Sequence, residues 1–227
     1  MLEPVSRYLR RALGSRTTPI KLARLRQEGE LRTDLKRGRW LPFTAYEVVT
    51  PIDVGFEWDA RVRIAPLIYV HVQDSYRAGE GAARVSIPSA VTIAKERGSA
   101  ELNSGSLFRF LAEAPWYPSV LVPSEKLRWK PVDSSRATAA LTDRGVTAEV
   151  EFRFDSAGDI AAVYAPARPR KVGAGYEMAA WEGHFGDYSE RDALRVPLWG
   201  EVGWYANGTW SPVWRGRIMN ASYEFSR

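Results

Sequence analysis

The stretch Val146–Phe154 reads VTAEVEFRF, and apolar and polar residues alternate through it without interruption. Every second residue from Val146 to Phe154 is apolar, and the residues between them are threonine, glutamate or arginine. A period of two predicts a β-strand with one face in a core and the other face in water. This segment therefore favours a sheet covered on one face only, which is typical of antiparallel sheets.

Turn residues join this strand to its neighbours. The loop at 143–145, Asp-Arg-Gly, is short and ends in glycine, so residues 137–142 and 146–154 are predicted to pair as a hairpin. The dipeptide Asn207–Gly208 is predicted to make the turn between the last two strands. Hairpins join antiparallel strands, whereas parallel strands need long crossovers. The sheet is therefore expected to be antiparallel.

Similar stretches recur along the chain, and about eleven strands are predicted in all. A break at 166–175, rich in proline, arginine and glycine, is expected to interrupt the second half. The strands lie near residues 22–31, 40–49, 56–64, 67–76, 137–142, 146–154, 160–164, 178–188, 194–205 and 213–225, with shorter pieces at 83–87 and 90–94 around Pro88.

The first fourteen residues follow a different period. Apolar residues recur near helical spacing from Leu2 to Leu13, Pro4 falls in the first turn, and Gly14 stands where a helix would stop. We predict an N-terminal amphipathic helix at 1–14. Its other face carries arginines, which suits a membrane surface or a flank packed on the sheet, and we favour the flank.

A second helix is predicted at 103–114. Ser104 or Ser106 would cap its N-terminus, and Pro115 would end it. An apolar stretch bounded by prolines follows, so the helical insert spans residues 103–122. Because this helix lies midway in a series of strands, we expect it to cover the sheet face rather than to connect parallel strands.

Together these elements predict a mainly β (α+β) fold: a curved antiparallel sheet or unclosed β-barrel with a helical cap and an N-terminal helix. The chain has 227 residues, a length at which sandwiches and barrels still form one domain. We therefore expect residues 1–227 to be a single domain.

The composition excludes several kinds of chemistry. The chain has no cysteine, which rules out disulfides, thiolate metal sites and cysteine nucleophiles. His71 and His184 are far apart and lack the spaced partners of a metal site. No glycine-rich phosphate loop or serine nucleophile motif is present. We therefore expect no metal and no cofactor.

Basic residues are concentrated near the N-terminus, and the net charge is +5. The basic end could dock on an anionic membrane or on a protein partner, although a solvated surface is the more ordinary interpretation. No nucleic-acid motif accompanies it, so nucleic acid is not an expected partner. The residues are Arg7, Arg10, Arg11, Arg16, Lys21, Arg24, Arg26, Arg32, Lys36, Arg37 and Arg39.

The sequence shows no secretion or membrane signal. No apolar run approaches the roughly 18 residues that span a bilayer, and no apolar signal-peptide core begins the chain. The chain as written is expected to be cytoplasmic, or membrane-anchored or extracytoplasmic if an upstream segment has been removed.

Aromatic residues are abundant, with nine Trp, ten Tyr and eight Phe. Phe108, Phe110, Trp116 and Tyr117 fall in the helical insert. The insert could lie across the concave face of a curved sheet and enclose a cavity for a lipid or another hydrophobic molecule. The alternative is that these side chains simply fill the core. The predicted ligand-contacting residues are Trp58, Phe110, Leu111, Trp116, Tyr117 and Leu121.

A hydrolase or isomerase is a second hypothesis. Glu182 and His184 would share one face of a strand, where a base and its orienting partner could meet, and Asp187 follows closely. If the three side chains converge on a cleft, catalysis is supported; if they point apart into solvent, it is not.

Several short motifs resemble an uncharacterised bacterial family of unknown function, over nearly the whole chain. The motifs are Pro4-Val-x-x-Tyr8-Leu, Arg24-Leu-Arg-Gln-Glu-Gly, Gly38-Arg-Trp-Leu-Pro-Phe43, Phe56-Glu-Trp-Asp-Ala60, Ala114-Pro-Trp-Tyr-Pro-Ser119, Trp181-Glu-Gly and Trp199-Gly-Glu-Val-Gly-Trp204. This resemblance implies no activity.

The layout is also distantly similar to the LolA and LolB group of lipoprotein carriers. The similarity consists of early extended segments ending in Phe-x-Trp, a mid-chain helical insert, and the late segments Val196-Pro-Leu-Trp199 and 214–223. It implies an unclosed antiparallel barrel that holds acyl chains against helices. The chain has neither a signal peptide nor a lipidated cysteine, so a periplasmic shuttle role is not implied. The arginine residues that the carrier group uses have no matching positions in this sequence.

Overall fold

The computed structural model describes residues 2–32, 38–87 and 91–226, with the backbone alone at Val91. Within these ranges the chain forms two α-helices, two short 3₁₀ helices and thirteen β-strands. The helices are α1 (Glu3–Leu13), α2 (Ala100–Ala112) and the 3₁₀ helices Ala114–Trp116 and Pro118–Leu121. The strands are β1 (Ile20–Leu31), β2 (Leu41–Thr50), β3 (Gly55–Ala65), β4 (Ile68–Arg77), β5 (Glu80–Ile87), β6 (Val91–Arg97), β7 (Leu127–Pro131), β8 (Arg136–Asp143), β9 (Val146–Phe154), β10 (Ile160–Val172), β11 (Gly175–Arg191), β12 (Leu194–Ala206) and β13 (Thr209–Phe225).

These strands form one antiparallel sheet in the order β6-β5-β4-β3-β2-β1-β13-β12-β11-β10-β9-β8-β7. Consecutive strands are neighbours except β6 and β7, which are the two opposite edges. Strands β1 and β13 pair at the centre, so the two ends of the chain meet there. The segment that joins the edges contains α2, which packs on β4, β5, β9 and β10. The predicted mainly β fold with an unclosed antiparallel barrel and a helical cap is confirmed.

The core lies between the concave face of the sheet and the helices. Strand β9 follows the predicted alternation, since Ala148, Val150, Phe152 and Phe154 are buried while Glu149 and its polar neighbours face outward. Helix α2 packs on β9 and buries its apolar side chains against it. The sequence period thus decides which face of the sheet the helices cover.

Two strands differ from the predictions. Strand β7 was not predicted because only Leu127 is buried among its five residues, so it shows no alternation. Strand β10 runs to Val172, through the predicted break. Among the described strands it pairs only with β11 beyond Tyr164, so its other edge can accommodate Pro166 and Pro169, which lack an N–H donor.

The N-cap prediction for α2 is wrong. Ser99 caps the helix, its Oγ accepting a hydrogen bond of 3.3 Å from the Leu102 amide, whereas Ser104 and Ser106 lie inside the helix. The intervening Ala100–Leu102 residues are good helix formers, so the helix extends back to the first serine before them.

Some predicted features fall partly outside the described residues. These are Met1 of the N-terminal helix, Lys36 and Arg37 of the basic cluster, and Pro88 with the first residue of the piece at 90–94. The described parts of that region form β5 and β6.

Candidate functional site

One end of the half-barrel carries an open groove of about 830 Å³, which we call the end groove. Its walls come from α1 and the loop that follows it, the start of β1, the turn between β2 and β3, and the segment from the second 3₁₀ helix to β8. Apolar side chains predominate, among them Leu9, Leu13, Ile20, Ile52, Val120 and Leu127.

Helix α1 forms one wall because its apolar face packs on the body of the protein. Val5, Tyr8, Leu9 and Ala12 are buried, and the helix contacts β8, β12 and the second 3₁₀ helix. The side left exposed carries charged residues, so the helix occupies the packed flank that we favoured. Gly14 ends the helix at a φ of 59°, which glycine adopts without strain.

The floor of the end groove is held by a link between distant segments. The Ile20 amide donates a hydrogen bond of 3.1 Å to Ser119 Oγ, which joins the start of β1 to the second 3₁₀ helix. Leu127 and Leu141, side by side on β7 and β8, are buried beside it. Val122 and Ile52 stand at the rim and are about half exposed, at 42% and 48%.

The six predicted ligand residues lie elsewhere. All are buried within the core, at 4% exposure or less: Trp58, Phe110, Leu111, Trp116, Tyr117 and Leu121. Their polar atoms are satisfied internally; Trp116 Nε1, for example, donates to the Pro197 carbonyl at 3.1 Å. None lines the end groove, although Leu121 lies between Val120 and Val122, which do. Contact of these six with a ligand stays a prediction.

Trp58 also borders a smaller pocket of about 300 Å³ between β3 and β6. Sequence reasoning missed the residues of the end groove itself. The signal available was the proline-bounded stretch at 116–122, where Val120 and Val122 flank the buried Leu121.

The proposed catalytic residues converge only in part. His184 Nε2 and Glu182 Oε1 are 2.7 Å apart, but Asp187 is 57% exposed and pairs with Arg217. Asp187 has a φ of 55°, so it leaves the regular alternation of β11 and its side chain does not follow the other two. The three side chains therefore do not meet in one cleft, which is the condition that the hydrolase or isomerase hypothesis requires.

Glu182 is held as a carboxylate on the convex side of the sheet. Tyr205 Oη and Arg153 Nη1 donate hydrogen bonds of 3.0 and 3.1 Å to its Oε2. Burial opposes ionisation, but the hydrogen bonds from His184 and Tyr205 and the Arg153 charge outweigh it and lower the pKa of Glu182. A carboxylate so well supplied with donors is a weak proton acceptor.

A buried charged group, which we call the α2 cluster, consists of Glu47, Asp74, Arg109 and Glu113. Arg109 on α2 donates to Glu113 Oε1 at 2.8 Å and to Asp74 Oδ2 at 3.0 Å, and its Nη2 lies 3.6 Å from Glu47 Oε1. Its guanidinium also stacks on Trp58, 5.0 Å from the ring centre. The cluster ties α2 to β2 and β4.

Glu47 is the fully buried member of this cluster, with no exposed side-chain surface. Its Oε2 accepts a hydrogen bond of 2.7 Å from Gln27. Burial, and next the charge of Glu113, raise the pKa of Glu47 well above its usual range, although Arg109 acts in the opposite direction. The raised pKa favours the protonated form of Glu47. The α2 cluster fixes helix α2 on the sheet, and the core beneath this helix is shielded from solvent.

Among the described residues no helix combines the length and the apolar character that crossing a bilayer requires. In the same ranges no three His, Asp or Glu side chains come together in a way that could hold a metal ion.

Solved structures provide fold-level likenesses. The chain is similar to a domain from Vibrio parahaemolyticus described as an outer membrane lipoprotein-sorting protein, at 10% identity and a TM-score of 0.47, covering 98% of this chain and 89% of that one. It is also similar to a LolA superfamily protein from Nitrosomonas europaea, at 8% identity and a TM-score of 0.45, covering 98% and 92%.

A β-barrel-like protein of another domain of unknown function, from Brucella abortus, is similar at 10% identity and a TM-score of 0.27, covering 92% of this chain and 100% of that one. No protein of curated function matches the sequence. A family profile does match, and it spans residues 2–223. The chain therefore belongs to the family of unknown function DUF6920.

Proposed function

We propose that this protein is a non-enzymatic binding protein that holds the apolar part of a small hydrophobic molecule in the end groove. The observation that carries the proposal is an apolar pocket of about 830 Å³ that is open to solvent. Ligand sites are typically concave, mainly apolar and about 300–1,000 Å³ in volume. The groove has the size and the surface chemistry of such a site.

The end groove supports this function better than the concave face does. Helix α2 and the aromatic residues at 110–117 fill the concave face, and the α2 cluster fixes that helix in place. At the end of the half-barrel, by contrast, Ile52 and Val122 remain half exposed around an unfilled space. Exposed apolar side chains that surround a groove are typical of binding surfaces.

The hydrophobic effect sets the affinity expected of such a groove. Each methylene group removed from water contributes about 0.8 kcal/mol, so a linear alcohol should bind about fourfold more tightly for each added carbon. The increase should stop when the chain outgrows the groove. A titration series from hexanol to tetradecanol, followed by displacement of a neutral naphthylamine dye, measures this dependence.

We predict that Val122→Trp weakens dodecanol binding by about tenfold or more, because the indole occupies space at the rim where the chain enters. Val132→Trp is the matched control: Val132 is 43% exposed, Val122 is 42% exposed, and only Val122 lines the groove. The control variant should bind like the parent protein.

Native mass spectrometry of protein extracted from cells tests occupancy directly. We expect bound lipid or another apolar molecule to be released from the parent protein and to be reduced in Val122→Trp. A parent protein that is always empty and takes up no alcohol of any length would refute the proposal. Equal binding by both tryptophan variants would place the ligand elsewhere.

A further inference from the structure

A second pocket, of about 470 Å³, adjoins the end groove; we call it the polar annex. It is formed by the loop 13–18 and Ala193, and it shares Leu13, Gly14, Arg16, Thr17 and Thr18 with the end groove. The two pockets therefore form one continuous surface, apolar in the larger part and polar in the smaller. A surface divided in this way matches a molecule with one apolar and one polar part.

The polar annex offers mainly hydrogen-bond donors. In its loop the amides of Gly14 and Arg16 donate to the carbonyls of Arg10 and Leu13 at 3.1 and 3.0 Å. The amides of Ser15, Thr17 and Thr18 donate to no backbone carbonyl in the described part of the chain. Together with three hydroxyl groups, these amides can contact an oxygen-rich group.

Arg16 gives this surface a positive charge. Its guanidinium lies 3.9 Å from the centre of the Phe225 ring, and its Nε is buried without a hydrogen-bond acceptor. Within the described ranges no carboxylate lies at ion-pair distance from Arg16, whereas Arg10 pairs with Glu3 and Lys126 with Asp143. Arg16 is thus the groove cation whose charge is available for a ligand.

Some of the other charges near the annex oppose the binding of an anion, and others favour it. The C-terminal end of α1 presents carbonyl groups equivalent to roughly half a negative charge, and Glu125 adds an acid to the wall of the groove. Arg10 and Lys126 also line the groove but are paired with Glu3 and Asp143, whereas Arg16 lines the annex itself and Glu125 lines the end groove alone. The local charge at the annex therefore favours an anion.

We propose that the ligand is a single-chain amphiphile with an anionic head, a carboxylate or a phosphate. Its chain occupies the end groove, and its head lies in the polar annex on Arg16. This inference rests on the proposed function, since it assigns a head group to the molecule whose chain fills the groove. A free fatty acid and a phosphate-headed lipid share this chemistry and are separated by experiment.

The test uses four probes with the same twelve-carbon chain: dodecanoate, dodecyl phosphate, dodecanol and dodecylammonium. At pH 8 and low salt we expect an anionic probe to bind about tenfold more tightly than dodecanol, and dodecylammonium to bind most weakly. The preference should decline as salt rises, because the annex is open to solvent. Whether the carboxylate or the phosphate binds more tightly identifies the head.

Arg16→Gln should abolish the preference for the anionic probes over dodecanol, and Arg16→Lys should keep part of that preference. Arg61→Gln is the matched control, because Arg61 lies 3.8 Å from the Tyr69 ring on β3–β4, away from both pockets. Thermal melting of each variant verifies that it is folded.

The outcomes separate the two proposals. Equal affinity for dodecanoate, dodecyl phosphate and dodecanol, all weakened by Val122→Trp, would overturn the anionic head and leave the chain site intact. An anion preference that survives Arg16→Gln would also overturn it. If no probe binds, both proposals fail.

Discussion

Replacement of Arg109 by glutamine is expected to lower the free energy of unfolding by about 3–5 kcal/mol at pH 8. Arg109 is the cation that faces three acids beneath α2, and it is mostly buried, with 18% of its side chain exposed. Without it Glu113 and Asp74 lose their hydrogen bonds to a guanidinium, and two carboxylates remain close together in a region of low polarity. Helix α2 would then lose its ionic attachment to the sheet and keep its apolar contacts and the hydrogen bonds at Asn103 and Gly105.

The free energy of unfolding that is lost in Arg109→Gln should depend on pH. In the parent protein the raised pKa of Glu47 means that the folded state keeps a proton which the unfolded chain releases above about pH 4.3. Stability from this group is therefore greatest at low pH and falls as pH rises through the folded-state pKa. In Arg109→Gln the cation that lowers the pKa of Glu47 is gone, so we expect the fall in stability to extend to higher pH.

Urea denaturation at several pH values between about 5 and 8 measures both the loss of stability and its dependence on pH. Glu47→Gln should lack the pH dependence due to Glu47, because its amide mimics the protonated acid. Arg153→Gln is the control for a partly exposed arginine, since Arg153 pairs with Glu151 and Glu182 on the convex face at 34% exposure; it should cost at most about 1 kcal/mol. An Arg109→Gln variant that is no less stable than Arg153→Gln would contradict the prediction.

The second large effect is expected at the centre of the sheet, where β1 meets β13. Gly29 lies directly opposite Gly216, which in turn lies opposite Gly200 on β12. A Cβ atom on Gly29 would lie 2.7 Å from Gly216 Cα and closer still to the Arg215 carbonyl oxygen. Both are backbone atoms, so no side-chain rotation can relieve the clash.

We therefore expect Gly29→Ala to lower the free energy of unfolding by about 3 kcal/mol or more, and the melting temperature by roughly 6–12 °C. The strand pair that joins the two ends of the chain must separate to admit the methyl group. Gly175→Ala is the control: Gly175 likewise lies in a strand and has no left-handed backbone. No atom of the described residues lies within 4 Å of the place where its methyl group would stand. Scanning calorimetry that shows equal melting temperatures for the two variants would refute the argument.

How far the sequence predicts this fold depends on the range of the interactions involved. Hairpins such as β8–β9 and β12–β13 were predicted because the turn residues and the two strands lie within a few residues of each other. The pairing of β1 with β13 joins residues about 200 positions apart, such as Arg24 and Ser222, and no local pattern specifies it. The free edge that lets β10 continue past Pro166 depends in the same way on where β9 ends.

The candidate site depends even more on contacts between distant segments, which local sequence patterns do not specify. Sequence reasoning selected the aromatic residues of the helical insert, because large apolar side chains suit both a ligand and a core. In the fold Phe110 and Trp116 have enough neighbours to be buried completely or nearly so. The end groove instead collects smaller residues from four separate segments, including Ile20, Ile52 and Val120.

The sequence by itself determined the antiparallel sheet, its buried face and the two helices, because alternation, helical spacing and turn residues act over a few positions. Only the tertiary structure decided which apolar residues are packed and which border an open space. That distinction depends on how segments distant in sequence fill the volume between them: α2 fills the concave face, whereas α1 and the turn at 51–54 leave a gap at the end of the half-barrel.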